Sequence, residues 1–174
     1  MPTLAPPTPE TPEIAESTAP ELASVRAKFP GGIEVQEGLD QPTWIVRRDV
    51  LAGLCRELKE NPETRFDLLM DLCGVDFPDR EERFEAVYHF YSSVHHHRVR
   101  LKVPLASSDL VVDSLTGLWQ SANWFEREAW DLFGVQFRGH PNLKRLLLYE
   151  EFQGHPLRKD YPIRKRQPLI GPIN

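Results

Sequence analysis

Hydrophobic and polar positions divide the chain into a proline-punctuated start, a patterned middle and an end without a period. Residues 1–20 hold six prolines with Thr, Glu and Ala between them. Such a stretch cannot bury enough apolar area to offset its ordering entropy, so disorder is expected there. Gly31-Gly32 opens the folded part. Ile33 to Glu37 alternates as a strand does, and Trp44-Ile45-Val46-Arg47 predicts a second. Asp49 is placed to cap a helix on which Val50 or Leu51, Leu54 and Leu58 recur at helical spacing. Asn61-Pro62 stops that helix, because proline lacks the next N–H and restricts the residue before it.

Phe66 to Val75 is apolar but ambiguous between a short helix and strands. After the Pro78-Asp79-Arg80 turn, Phe84–Tyr91 and Arg98–Val103 read as two antiparallel strands joined by a loop over Ser92–His97. The second alternates basic-out and apolar-in. Leu110–Val112 predicts a further short strand, and Ser114 is expected to cap a short helix through Trp119. Asn123 with Glu126 three residues on resembles a capping box, so a helix is expected over Trp124–Phe133 with Gly134 just past it. Its Phe125, Ala129, Leu132 and Phe133 would face the sheet, and Arg127 and Asp131, four apart, would pair. Helices packed on one side of an antiparallel or mixed sheet make an α+β fold. Residues 21–137 form that globular domain, and residues 138–174, broken by prolines at 141, 156, 162, 168 and 172, are expected to run as an extended basic tail.

Composition sharpens this picture at three points. With 174 residues the chain suits one domain plus tails, and 27% charged residues with no apolar run near ~20 residues argue against a membrane span. The start lacks the layout of a secretory signal or mitochondrial presequence. Cys55 and Cys73 lie in apolar surroundings without a CxxC partner, so both are expected as buried thiols in a reducing compartment, too few to hold an iron–sulfur cluster. Net charge is −5, yet residues 138–166 carry eight Lys or Arg against three acids, a net of +5 that leaves −10 upstream. An acidic body with a basic tail points to a partner for the tail, or to a tail folded back on the body.

Catalytic readings of the acidic and histidine-bearing stretches are weak on geometry. Glu126 and Glu128 stand two apart, about 200° around a helix, and cannot flank one bond. A stand-alone hydrolase using Glu126, Glu128 and His140 is the rival class. His95 and His97 share a side of an extended loop, but no nearby cysteine or carboxylate completes a metal shell. His140 and His155 each sit between Gly and Pro, where the backbone is fixed and the ring presented. No phosphate-cradling glycine loop and no recognisable nucleophile setting occurs. Basic residues separated by prolines and acids give little support to a nucleic-acid groove. A tail of this length reaches on the order of 100 Å when extended, enough to bury a standard interface on a partner. Arg158 and Lys159 would then need acceptors there, with Arg the better bidentate donor.

Several runs together resemble a known family. Glu126-Arg127-Glu128, Asp131-Leu132-Phe133, His140 and Lys144-Arg145-Leu146-Leu147 resemble one signature of the C subunit, the 30-kDa-type subunit, of proton-pumping NADH:quinone oxidoreductase (respiratory complex I). Gly154-His155-Pro156-Leu157-Arg158-Lys159-Asp160-Tyr161-Pro162 looks like its second hallmark, and Asp71-Leu72, Val75-Asp76 and Arg83 to His89 follow its middle section. The similarity covers roughly residues 30–165; Cys73 and Tyr149–Phe152 depart from the pattern. The resemblance implies an accessory subunit of the peripheral arm without cofactor, metal or substrate of its own. It would sit on the cytoplasmic face of a bacterial inner membrane, bound to it only through the complex. Flavin and iron–sulfur clusters would belong to other chains, and the partners would be the quinone-site (D) subunit and iron–sulfur subunits. Docking or structural roles then fall to Glu126, Arg127, Glu128, Asp131, His140, Arg145, His155, Arg158, Lys159, Asp160 and Tyr161. The corresponding subunit of a membrane-bound hydrogenase, or of a ferredoxin- or F420-dependent dehydrogenase, is the near alternative.

Overall fold

The computed structural model describes residues 20–37, 40–165 and 167. The disorder expected of residues 1–20 therefore lies outside the described residues, Pro20 excepted. Five strands form one mixed sheet in the order β1-β2-β5-β4-β3, built from β1 (Ile33–Gln36), β2 (Thr43–Val46), β3 (Leu68–Asp76), β4 (Phe84–Tyr91) and β5 (Arg98–Leu105). Only the β2–β5 pairing is parallel; the other three are antiparallel.

Period-two alternation sets the core. Phe84, Ala86, Tyr88 and Phe90 lie opposite Leu105, Val103, Leu101 and Val99, and all eight are buried on one face. Fully burying each of the larger ones is worth roughly 1.5–3 kcal/mol. Helix α2 (Leu51–Glu60) adds Leu51, Leu54, Cys55 and Leu58 to this layer, and α1 (Pro20–Ala27) adds Leu22 and Val25. Helix α3 (Ala122–Phe133) lies against β3. There a Cβ on Gly74 would come within 2.6 Å of the Phe133 ring, so the helix reaches its distance only over glycine. A second, two-stranded parallel sheet joins β6 (Val111–Asp113) to β7 (Gln136–Arg138), with α3 as the crossover.

The ambiguous segment resolves as strand β3, with a register shift between Leu69 and Asp71. That irregularity explains why its apolar residues failed to alternate. Several expectations need correction. Asp49 does not cap α2: Val50 occupies the cap position without a side-chain bond, and Asp49 is taken by Arg47 at 2.6 Å. Ser114 starts a single turn rather than a helix, since the Leu118 and Trp119 N–H groups both donate to Leu115 O at 2.9 Å and the pattern goes no further. Cys73 is exposed on the sheet face opposite the helices, while Cys55 is buried as expected. Among the described residues after Arg138 the chain forms neither helix nor strand but runs through a series of hydrogen-bonded turns, such as Tyr161 N–H to Arg158 O at 3.0 Å.

Candidate docking site

The last turn of a helix leaves carbonyls without intrahelical partners, and α3 ends where the two signature runs meet. Trp130 O accepts the N–H of Gly134 at 2.8 Å. The other three are met from residues 145–158. His155 Nδ1 lies 3.0 Å from Asp131 O, the Leu157 N–H donates to Leu132 O at 3.2 Å, and Arg158 Nε donates to Phe133 O at 2.6 Å. The C-terminal segment is thus the cap of α3, and it brings the Arg158 and Arg145 cations to the negative end of the helix dipole. Gly134 adopts φ 80°, and a Cβ there would meet Arg158 and lie 2.7 Å from His155 Nε2. Glycine is needed twice over, for the left-handed turn and for the room. Burial lowers the pKa of His155, which suits a neutral ring donating to a carbonyl.

Asp131 anchors the same segment from the other side. Its Oδ2 accepts the consecutive N–H groups of Leu146, Leu147 and Leu148 at 3.0, 2.9 and 2.9 Å, and its Oδ1 takes Arg145 Nη1 at 2.7 Å. Burial by itself raises this carboxyl's pKa, but the backbone donors and Arg145 outweigh it and hold the value below the ordinary range. Arg145 Nη2 also reaches Phe152 O at 2.6 Å and Gly154 O at 3.2 Å. One guanidinium therefore ties the start of the strap to its middle.

A third anchor lies across the sheet. Asp76, at the end of β3, receives two parallel bonds of 2.7 Å from Arg83 Nε and Nη2 and a third of 2.7 Å from the Lys159 N–H. Arg83 Nη1 continues to Asp160 at 3.0 Å. The bidentate Arg83 contact is the main reason that the Asp76 carboxyl titrates below its usual value.

These bonds revise the sequence-based picture at four places. Glu126 is not a capping-box acid: it is fully buried, with Oε2 accepting from Ser114 Oγ at 2.7 Å and Oε1 from the Leu115 N–H at 2.6 Å. Burial pushes its carboxyl up to about 7. Arg127 does not pair with Asp131; it donates to Lys144 O and Arg145 O at 3.2 and 2.9 Å, because the strap lies between them. His140 is engaged by its own chain, Nε2 lying 3.3 Å from Asn123 O and Nδ1 accepting the Asn142 N–H at 3.0 Å. With Glu126 sealed from solvent and His140 held by backbone, these two do not form an exposed carboxylate–imidazole pair. Lastly, Arg158 finds its acceptor on α3 of its own chain rather than needing one on a partner. Sequence reasoning missed Asp76, Arg83 and Gly134 as site residues. Only the hallmark runs around them carried a signal, because anchors 77 residues apart have no local period.

The loop histidines also turn inward: His95 Nε2 lies 2.9 Å from Pro62 O and His97 Nε2 lies 3.1 Å from Thr64 O. Among the described residues no group of three or more His, Cys, Asp or Glu is arranged to hold a metal, and no helix is long and apolar enough to cross a membrane.

What the strap leaves outside is apolar and charged, with cations outnumbering the exposed Glu150, Glu151 and Asp160. Leu147, Tyr149, Leu157 and Ile163 are exposed, Ile163 completely, and so are Lys144, Lys159, Arg164 and Lys165. Tyr161 stacks on Phe152 with centroids 6.0 Å apart, and its hydroxyl accepts Gln167 Nε2 at 2.9 Å.

Comparison with known proteins adds the family. A family model described as the respiratory-chain NADH dehydrogenase 30 Kd subunit matches residues 44–167. The chain is 41% identical over 156 residues to the NADH-quinone oxidoreductase C subunit of Geotalea uraniireducens, covering 88% of this chain and 94% of that one. It is 48% identical over 155 residues to the NADH-quinone oxidoreductase C 2 subunit of Rhizobium meliloti, covering 87% and 84%. A solved structure titled Nqo5 of the trypsin-resistant fragment (1-134) superposes with a TM-score of 0.59 at 32% identity, over 70% of this chain and 96% of that one. A chain of the membrane-bound sulfane sulfur reductase, an archaeal respiratory membrane complex, shares the fold with a TM-score of 0.68 at 22% identity, over 82% and 84%.

Proposed function

Because the chain belongs to the respiratory-chain NADH dehydrogenase 30 Kd subunit family, we propose that it is an accessory subunit of the peripheral arm of an NADH:quinone oxidoreductase. In this role it carries no catalytic residue and no cofactor. It holds a quinone-binding subunit and iron–sulfur subunits in register on the cytoplasmic face of the membrane. Electrons pass from NADH to quinone through groups in those other chains, and this chain's contribution is geometric: a rigid α+β body from which the strap presents a docking surface. Glu126, Asp131, Arg145, His155 and Arg158 serve that surface from within by fixing the strap, whereas Lys159 and the residues after Tyr161 meet the partner.

One observation carries the reading. The outer side of the strap sets exposed Leu147, Leu157 and Ile163 beside cations, on a chain whose remainder is acidic. Apolar anchors set among charges that are mostly cationic suit a protein partner better than solvent. Removing residues from Gly154 onward tests it. Among the described residues the core holds nothing beyond Leu143, so the truncated body should fold and stay soluble while failing to co-purify with the other subunits. Retention at full affinity would show that docking lies elsewhere.

A further inference from the structure

One acid of the Glu126-Arg127-Glu128 run remains unspent. Glu126 is sealed inside and Arg127 is held by carbonyls of the strap. Glu128 is partly buried, yet among the described residues it makes no hydrogen bond or ion pair. A partly desolvated carboxylate without a counter-charge is a cost that an isolated fold gains nothing by keeping.

Its neighbours on α3 give the acid a context. Trp124, Glu128 and Leu132 are four residues apart, which places them on one stripe of the helix. Trp124 is 61% exposed, with Arg127 stacked 5.2 Å from its ring centre. Next to Trp124 lies a hollow lined by Thr116, Gly117, Gln120 and Pro141. At the other end Leu132 receives the N–H of Leu157, whose side chain is 49% exposed. The strap bonds the flank of α3 carrying Arg127 and Asp131 and meets this stripe at Leu132. An exposed tryptophan at one end and leucines at the other, with a single uncompensated negative charge between them, form a surface of definite polarity.

We infer that the Trp124–Glu128–Leu132 stripe is a second docking surface, separate from the basic strap, and that it takes a polypeptide segment presenting a lysine or arginine between apolar side chains. Charge complementarity fixes the occupant: the strap calls for an acidic surface, this stripe for a basic one. Aromatic anchors with a desolvated ion pair are where binding energy concentrates. The inference rests on the reading of the chain as a subunit of a complex.

The test uses the full-length chain, assembled with its complex and alone. Trp124→Ala and Glu128→Gln should each lower affinity for the rest of the complex about tenfold or more, with the isolated subunit's melting temperature unchanged. Glu128→Lys should be worse than Glu128→Gln, and Glu128→Asp should retain most of the binding. A photo-crosslinker at position 124 should join a basic segment of another subunit. Normal assembly of Glu128→Lys overturns the inference, as does a parallel loss of melting temperature in the lone chain, which would make the stripe merely structural. Loss of the complex on truncation at Gly154 together with normal Glu128 variants discards this surface alone. If both leave assembly intact, the subunit reading itself fails.

Discussion

Arg145 Nη1 lies 2.7 Å from Asp131 Oδ1, joining two residues fourteen apart, of which the aspartate is wholly buried and the arginine nearly so. Buried pairs of this kind add little net stability when intact, yet losing one member leaves an uncompensated charge inside. Asp131→Asn keeps the shape, removes the charge and offers three N–H donors a weaker acceptor. Loss of about 3 kcal/mol is expected in urea denaturation. Limited trypsin digestion should then cut after Arg145, whose side chain the native strap holds among Asp131, Phe152 and Gly154. An unaltered digestion pattern would refute the claim that Asp131 holds the strap.

Gly134→Ala probes the same joint without touching a charge. Forcing an L side chain into φ 80° costs roughly 1–2 kcal/mol, and the new methyl would also displace Arg158 and His155 from the end of α3. For a chain of this size a drop of roughly 5 °C in melting temperature follows. A fall this large, accompanied by trypsin cleavage at Arg158, marks the cap as the affected element. A stable Gly134→Ala with the strap still protected would mean that the clash is relieved at no cost.

Arg158 and Lys159 are adjacent in the sequence and opposite in role. Arg158 donates to Phe133 O and lies 5.1 Å from the Phe84 ring, whereas Lys159 contributes its backbone N–H to Asp76 and leaves its side chain exposed. Arg158→Ala should therefore destabilise the isolated chain by about 1–2 kcal/mol through an unmet carbonyl and lost packing. Lys159→Ala should leave the isolated chain within about 0.5 kcal/mol of the parent and weaken assembly instead. Calorimetry of the lone subunit beside pull-down of the complex separates the two. Equal behaviour of the pair in both assays contradicts this division.

What the sequence revealed followed the range of its physics. Alternation over Phe84–Tyr91 and Arg98–Val103 is local, and both strands lie where the pattern places them. Gly134 after Phe133 marked the end of α3 correctly, for a left-handed cap leaves a local signature. Capping by Asp49 and by Asn123 with Glu126 failed because a competing partner, Arg47 in one case and the Ser114-Leu115 turn in the other, captured the carboxylate. The three anchors of the strap lie further beyond reach. Asp76 meets Lys159 over 83 positions, and nothing in either neighbourhood encodes that approach. Basic composition suggested a tail bound for a partner, whereas its cations and N–H groups first complete a helix end within the same chain. Inward, the strap completes its own fold through its polar atoms; outward, it leaves Leu147, Leu157 and Ile163 exposed.

Glu126 gives this chain an unusual dependence on pH. Its carboxyl is raised from 4.5 to about 7 because burial disfavours the charge, while Ser114 and the Leu115 N–H compensate only in part. Between those values the folded chain keeps a proton that the unfolded chain has released, so stability falls as pH rises from 4.5 to about 7 and is level above that. The shift corresponds to about 3 kcal/mol across the window. Asp76 and Asp131 act in the opposite sense: both are held below the ordinary value of 3.8, so their contribution is present above it and is lost as pH falls further. His155 and His89, whose pKa values burial lowers, also oppose Glu126, because their contribution is lost as pH falls below 6.5; the Glu126 effect is therefore read by difference against a variant. Glu126→Gln mimics the protonated form, its carbonyl accepting from Leu115 and its amide donating to Ser114 Oγ, which can pass its own hydroxyl proton to Thr116 Oγ1 at 2.8 Å. Unfolding free energies of the two proteins from urea denaturation should nearly coincide near pH 4.5 and diverge by about 3 kcal/mol at neutral pH and above, with the variant the more stable. Parallel curves for the two proteins would mean that Glu126 is ionised in the fold throughout and that its burial is compensated by groups other than Ser114 and Leu115.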